Sequence, residues 1–306
     1  MGGDKMTYVK TFAKSLKVFL TLLTLTAALI TQIFYSALPN RDIYPKEDNA
    51  VRVMSFNLLS QRFGKDAMFF RAGIAAQTVA EYYPDSFGVQ EATGAWMLAL
   101  KSLLPEYAFV GRPRSLYPLD ETCAVFYLKD KYDLVDSGTF WLSETPEKIS
   151  KGWDGEFARV CSYVVLKNKL TGESYAHLNT HLDHMGSIAR ENSVRLILEK
   201  VQSLGNLPVV VTGDFNFRQN SNLYKAITAD ILSDAKFLAP DTMNSPTYHN
   251  FLPPEEQNPN IIIDFVFVTE NIRPLKYKVI TEGIKGRAVS DHYPIYADLI
   301  LNPPQS

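Results

Sequence analysis

The 306-residue chain is 46% hydrophobic and carries a formal charge of −2, which excludes a predominantly disordered protein and leaves ample material for a large core. The first fifty residues hold six Lys/Arg against four Asp/Glu, so 25 basic and 29 acidic residues remain for the body. That acidic balance excludes the broad cationic footprint of a protein that tracks along nucleic acid, although a local basic patch is compatible with it.

Lys5, Lys10, Lys14 and Lys17 precede the stretch 18–38, which has no charged residue and only Thr, Gln32 and Ser36 as polar interruptions. A bilayer needs about 20 such residues. The basic flank on the N-terminal side predicts a transmembrane signal anchor with the following domain outside the cytoplasm. Secretion after signal cleavage is the alternative. Against it, the apolar run is long, and Phe34 and Tyr35 stand where a cleavage site favours small residues. Residues 39–50, with Pro39, Pro45 and mixed charge, read as a linker. From 51 onward no repeat, low-complexity tract or second linker interrupts the chain, so residues 51–302 are expected to form one domain.

Strand and helix signals alternate in that domain, which predicts an α/β fold. Strands are expected over 51–56 and 86–90, with helices over 71–82 and 94–104 that stop before Pro84 and Pro105. β-branched and aromatic residues then predict strands over 122–127, 134–142, 157–166 and 175–180. Val194, Ile197, Leu198 and Val201 fall at helical spacing and end near Gly205. Val209, Val210 and Val211 predict a strand buried on both faces, and 261–268, 275–280 and 293–301 complete the set. Cys123 and Cys161, each in an apolar run, read first as buried thiols, with a disulfide left open and no metal-site spacing.

Polar residues stand where these strands stop, and the carboxyl ends of strands are where α/β sheets bind ligands. Asn57 follows the first strand and Glu91 the second, each with an ordinary helix cap or turn as its bland reading. Asp214 and Asn216 follow Gly213, two residues apart and so on one side of an extended segment. Three of the five His lie within the run His177-Leu-Asn179-Thr-His181-Leu-Asp-His184. In it, residues 177, 179 and 181 share one face. Asp264 interrupts an apolar strand, and a buried carboxylate needs a partner. His292, in Ser-Asp291-His292, is the downstream His placed to supply one, and the bond would hold its imidazole charged.

Six runs in order resemble the endonuclease/exonuclease/phosphatase superfamily: Met-Ser-Phe-Asn57, Val-Gln-Glu91, Leu-Asn179-Thr-His181, Gly-Asp214-Phe-Asn216, Ile-Asp264-Phe-Val-Phe-Val and Ser-Asp291-His292. The resemblance covers about 51–302. It implies a four-layer α/β/β/α sandwich of two mixed, mostly antiparallel sheets, and a magnesium-dependent hydrolase of phosphoesters in which manganese can substitute. Carried over by motif, Glu91, Asn57 and Asp291 would hold the metal, and Asp214 would orient or deprotonate the attacking water. Asn216 and Asn179 would hold phosphate oxygens, His181 and His292 would donate to the transition state, and Asp264 would orient His292.

The run Asn179 to His184 further resembles an uncharacterised bacterial branch of the superfamily, in which Arg159, His184 and His249 would also meet phosphate. The expected substrate is a small-molecule, nucleotide or lipid phosphoester, because the chain lacks the basic clusters of the nucleases. An extracytoplasmic nuclease acting on DNA or RNA is the alternative. A non-catalytic anchored binding module is the competing class, opposed by the presence of Glu91, Asp214, Asp291 and His292 together. Phe63, Trp141, Trp153 and Phe157 are candidates to close over an organic group, or else core.

Overall fold

A computed structural model describes residues 42–61, 67–283 and 288–302. Among these no helix is long and apolar enough to cross a membrane; the expected anchor at 18–38 and Phe63 lie outside the described residues. In chain order the strands are β1 (Val51–Asn57), β2 (Ser86–Ala92), β3 (Tyr107–Val110), β4 (Thr122–Leu128), β5 (Tyr132–Trp141), β6 (Val160–Asn168), β7 (Ser174–His181), β8 (Val209–Asp214), β9 (Ser233–Asp234), β10 (Asp264–Val268), β11 (Ile272–Val279) and β12 (Ile295–Leu301). The α-helices are α1 (Met68–Tyr82), α2 (Gly94–Leu103), α3 (Ser187–Ser203), α4 (Asn222–Ile227) and α5 (Ala235–Leu238).

The strands form two six-stranded sheets, ordered β11-β12-β1-β2-β4-β3 and β5-β6-β7-β8-β10-β9. β1 pairs with β2, and β7 with β8, in parallel, and the neighbouring pairs are antiparallel. Period-two alternation decides which core each residue serves. Leu166, Tyr175, Val210 and Val266 join the core of the first sheet, whereas Val165, Ala176, Val209, Val211 and Phe265 pack with Val194, Ile197 and Val201 of α3. Ala75, Ala76 and Val79 of α1 and Trp96 and Leu100 of α2 complete the first core. Two sheets therefore lie face to face with helices outside, and the three valines of β8 serve both cores.

Most expected elements are present, with informative differences. The strand expected over 261–268 begins at Asp264, because the Thr247 hydroxyl takes the Ile263 and Asp264 N–H groups at 3.0 and 3.1 Å. Asp264 thus heads its strand instead of interrupting it. Cys123 and Cys161 are buried free thiols on opposite sheets, so the disulfide left open by the sequence does not form. Trp141 is core, its indole N–H given to the Arg114 carbonyl at 2.7 Å, and so cannot close over a ligand.

The described part of the expected linker is docked, not free. Residues 42–50 run along the last turn of α1, where Asp42 N and Ile43 N donate to the Ala80 and Glu81 carbonyls, both at 2.9 Å. Tyr44 stacks on Tyr82 with ring centroids 4.3 Å apart. Buried Arg52 holds Asp298 through a two-pronged pair at 2.6 and 2.8 Å and gives its remaining hydrogens to the Tyr44, Tyr82 and Pro45 carbonyls. Fully buried Asp85 receives Lys46 at 2.8 Å, Lys131 at 2.5 Å, the Tyr132 hydroxyl at 3.0 Å and Arg52 N at 2.8 Å.

Burial alone would raise the pKa of Asp85, but Lys46 and Lys131 outweigh it and hold the carboxyl below its ordinary value of 3.8. The stabilisation is therefore complete above about pH 4 and is lost as pH falls through the depressed folded-state value. Asp85→Asn is expected to lower stability by about 3 kcal/mol at neutral pH, since it strands two ammonium groups. Denaturant unfolding across a pH series checks this: the gap between wild type and variant should narrow below about pH 4.

Candidate active site

The ends of β1, β2, β7 and β8 and the start of β10 meet at one edge of the sandwich. β10 pairs with β8 in a register that sets Asp264 opposite Asp214, and β7 sets His181 opposite Asp214 on the other side. Asp214 is thereby enclosed by two strands whose terminal residues are polar. Gly213 makes the approach possible, because a Cβ there would meet the Thr180 carbonyl oxygen at 2.3 Å.

Asp214 Oδ2 lies 3.4 Å from His181 Nε2 and 3.7 Å from His292 Nε2, and accepts from Asn57 Nδ2 at 3.0 Å. Its other oxygen accepts the Asn216 N–H at 3.0 Å. Behind His292, Nδ1 meets Asp264 Oδ2 at 2.9 Å, which is the pairing that burial of Asp264 required. Burial by itself would discharge His292, but Asp264 and Asp214 overcome it and raise the imidazole to about 10. His181 goes the other way: burial, reinforced by the positive Arg159, holds it neutral. Burial also pushes Asp214 up to about 7, against the pull of His292. One carboxylate thus stands between a charged and a neutral imidazole, an arrangement suited to moving a proton.

Asn57 and Glu91 form the second half of the site. Asn57 Nδ2 also donates to Glu91 Oε1 at 3.2 Å, and Glu91 Oε2 accepts Ser60 N at 2.8 Å. Asn57 Oδ1 takes the Leu59 N–H at 3.0 Å and keeps its second lone pair. Glu91 occupies a bulge in β2 with φ of +56°, and Leu59 and Asn216 have φ of +54° and +50°. Left-handed backbone at non-Gly residues costs about 1–3 kcal/mol each, and here Leu59 and Asn216 turn their backbone N–H groups onto Asn57 and Asp214.

Asp291 has the Ser290 hydroxyl at 3.1 Å, and its pKa is raised by burial and by the charge of Glu91, against the pull of His292. Two carboxylates that repel each other, with an amide oxygen nearby, are the oxygen-rich donor set a hard divalent cation takes. Glu91, Asp291 and Asn57 therefore fit a metal. Among the described residues Asp214, Asp264 and His292 also bring possible ligand atoms within 4.8 Å of one another. That trio is a poor cradle, because His292 is charged and its Nδ1 is engaged by Asp264.

Asn179 does not join the site. It is fully buried between the sheets, where Nδ2 donates to the Val89 and Ala124 carbonyls at 2.9 and 3.1 Å. Its Oδ1 accepts from Gln90 Nε2 at 2.6 Å and Thr212 Oγ1 at 3.1 Å. With every strong hydrogen-bonding position occupied, it cannot hold phosphate, and the role expected of it is corrected to a tie between sheets. Gly88 makes room for it, since a Cβ there would stand 2.2 Å from Asn179 Oδ1. His177 is a second tie, bridging Ser86 and Thr212 at 2.8 Å each. Burial pushes its pKa down to about 3. The polar face of 177, 179 and 181 is real, but only its last member reaches the site.

Arg159 is buried and paired with Asp183 at 3.5 Å, yet its Nε has no hydrogen-bond partner among the described residues. His184 is half exposed, 3.4 Å from Arg159 Nη2 and 3.1 Å from Glu156. Phe157 gathers this group: His184 stacks on it at 6.0 Å, and the guanidinium carbons of Arg114 and Arg159 lie 4.7 and 5.8 Å from its centroid. Arg114 was not singled out in the sequence, where the run Gly-Arg-Pro-Arg114 was its sole signal. His249 lies on the other flank. Its ring stacks on Tyr293 at 4.1 Å and, with His292, lines a cavity of about 270 Å³.

Asp183 explains why the run through His184 is fixed. It accepts four backbone N–H groups, from Glu156, Phe157, Met185 and Gly186, at 2.8–3.1 Å. These bonds outweigh burial and hold its carboxyl well below the usual range. The loop that carries Phe157 and Arg159 is thereby fastened to the strand end that carries His181.

A buried carboxylate between two imidazoles, beside an oxygen-rich donor set, is compatible with hydrolysis of phosphoesters, and the comparisons point to that class. Residues 54–292 match the Endonuclease/Exonuclease/phosphatase family, and the chain belongs to that family. Its members generally depend on divalent metal ions. A solved mannosyl-6-phosphatase from Bacteroides thetaiotaomicron is 34% identical with a TM-score of 0.77, covering 82% of this chain and 100% of that one. The catalytic domain of human nocturnin with bound sulfate shares the fold at 20% identity and a TM-score of 0.62, over 82% of this chain and 93% of that one. Nocturnin of Rattus norvegicus is 25% identical over 228 residues, 65% of this chain and 51% of its own length, so the chain spans about half of that relative.

Two substitutions separate the tie from the site. Asn179→Ala removes one buried hydrogen-bond partner each from Gln90, Thr212 and the Val89 and Ala124 carbonyls, and is expected to cost about 3 kcal/mol of stability. Asp214→Asn removes a carboxylate that burial disfavours, so thermal melting should hold or rise while turnover falls about 10³-fold. Melting curves and kcat for the two variants, measured side by side, check both outcomes.

Proposed function

We propose that the protein is a magnesium-dependent phosphatase acting on a small organic phosphoester outside the cytoplasm, held at the membrane by residues 18–38. The observation that carries the reading is Asp214, set between neutral His181 and charged His292, with Asp264 fixing the latter. Asp214 accepts the proton of the attacking water. His292 donates to a phosphoryl oxygen as charge builds there, and Asp264 keeps it charged and turned inward. His181, whose buried Nδ1 has no hydrogen-bond partner among the described residues, gives a second contact to the phosphoryl group. Asn216 holds Asp214 through its backbone N–H while its side chain donates to the Leu182 carbonyl at 3.0 Å. Glu91, Asp291 and Asn57 would hold a divalent ion, which would supply neutralisation of phosphate charge.

Arg159, Arg114 and Phe157 support a compact organic phosphate as substrate, since they offer two cations and one aromatic face beside His181. The mannosyl-6-phosphatase named above points the same way and suggests a sugar phosphate. Duplex DNA would require several phosphates to be neutralised at once, and the body has 25 basic against 29 acidic residues.

The test compares kcat/KM for a hexose 6-phosphate and for duplex DNA across magnesium and salt series. The small phosphoester should be hydrolysed faster, only with added divalent ion and with weak dependence on salt. DNA cleavage that is faster and falls steeply with salt would sink the reading and favour a nuclease.

A further inference from the structure

Residues 42–50 are fastened to the end of the domain opposite the active site. β1 begins at Val51, beside this segment, and ends at Asn57 in the site. Six residue steps at about 3.3 Å place the two some 20 Å apart along the strand. β7 and β8 run the same way, from Ser174 and Val209 at the far end to His181 and Asp214. The hairpin between β6 and β7 therefore also lies at the far end, and its Leu170 is 94% exposed.

The fastening leaves almost no slack. Asp42, Ile43, Tyr44 and Lys46 are each tied to the body through Ala80, Glu81, Tyr82 and Asp85. Between the charge-free stretch 18–38 and Asp42 stand only residues 39–41. Three residues reach roughly 10 Å even when fully extended. A chain anchored through 18–38 thus cannot turn its domain over, because the last turn of α1 and the Leu170 hairpin are drawn to the bilayer.

We infer that the docked segment fixes the active-site mouth away from the membrane, so that the enzyme takes soluble phosphoesters and not phospholipids of the bilayer that carries it. The inference rests on the phosphatase reading of the site for its substrate and on the anchor reading of 18–38 for its geometry. Exposed apolar residues at the mouth side, Leu116 at 85% and Tyr117 at 54%, make the opposite orientation the one to exclude. They flank Glu121, which is close enough to Glu91 for the two charges to act on each other.

The experiment uses the full chain in liposomes, with a donor dye on Leu170→Cys or on Tyr117→Cys and an acceptor dye on the lipid headgroups. Both natural thiols are buried, so labelling goes to the new cysteine. Energy transfer from position 170 should exceed that from position 117 at least threefold. About 20 Gly/Ser residues inserted between 41 and 42 should bring the two signals together, since such a linker spans roughly 25 Å. With the natural chain, mannose 6-phosphate in bulk solution should be hydrolysed within about twofold of the rate in detergent. Phosphatidic acid in the same bilayer should react at least tenfold more slowly.

Equal or reversed transfer, phosphatidic acid hydrolysed as fast as the soluble ester, or a chain that does not stay with the vesicles would each overturn the inference. Transfer in the expected order with neither ester hydrolysed supports the orientation and sinks the phosphatase reading instead.

Discussion

The buried ion pair between His292 and Asp264 is the interaction on which the site depends. An isolated imidazolium at 5% exposure would lose its proton, and an isolated carboxylate at 2% would gain one. His292 keeps its charge because the Asp264 carboxyl oxygen is 2.9 Å away. The pair then sets the state of its neighbours: His292 draws Asp214 toward ionisation, and burial draws it back. A base with its proton held near the balance point follows from those two opposed pulls.

That pair can exist only because two sheets close over it. The seam between them is polar where a sandwich is ordinarily apolar, with His177, Asn179, Thr212, Gln90 and Ser86 sharing hydrogen bonds. Ties of this kind fix the distance and register of the sheets more narrowly than packing alone, since a satisfied polar group tolerates little displacement. Gly88 removes a Cβ that would hold the layers apart, and Gly213 one that would push β8 from β7 within its own sheet. Strand ends from both sheets are thus brought together within hydrogen-bond reach, Asn57 from one meeting Asp214 from the other.

Much of this was legible in the sequence. The valine run of β8, the proline-terminated helices and the polar strand ends follow from local periodicity, which sequence records directly. The Asp264–His292 pair was legible from the cost of burying charge. Asn179 was misread because strand alternation tells that residues 177, 179 and 181 share a face, and does not tell which face. An inward polar face and a ligand-binding face look alike until the partner sheet is in place. Residues 42–50 were misread for a related reason. Pro45 and mixed charge resemble a solvated linker, and the partners that fasten them, Arg52, Tyr82 and Asp85, are specified elsewhere in the chain. Arg114 is brought to Phe157 by loop geometry that no local pattern encodes.

The distribution of charge within the site bears on the size of what it accepts. Arg114 is already paired with Glu121 at 2.8 Å and Asp120 at 3.2 Å, and Arg159 with Asp183. These cations are largely compensated, so they present directed donors more than a long-range field. A polyanion is steered by uncompensated surface charge summed over many phosphates, and a compensated pair contributes little to that sum. A single phosphate held at close range gains from directed N–H groups whether or not a carboxylate stands behind them. Arg159, 6% exposed, with its Nε 3.5 Å from Asp183 and without a hydrogen bond among the described residues, is of this second kind. Compensated cations of this kind add little to a field that reaches beyond the site.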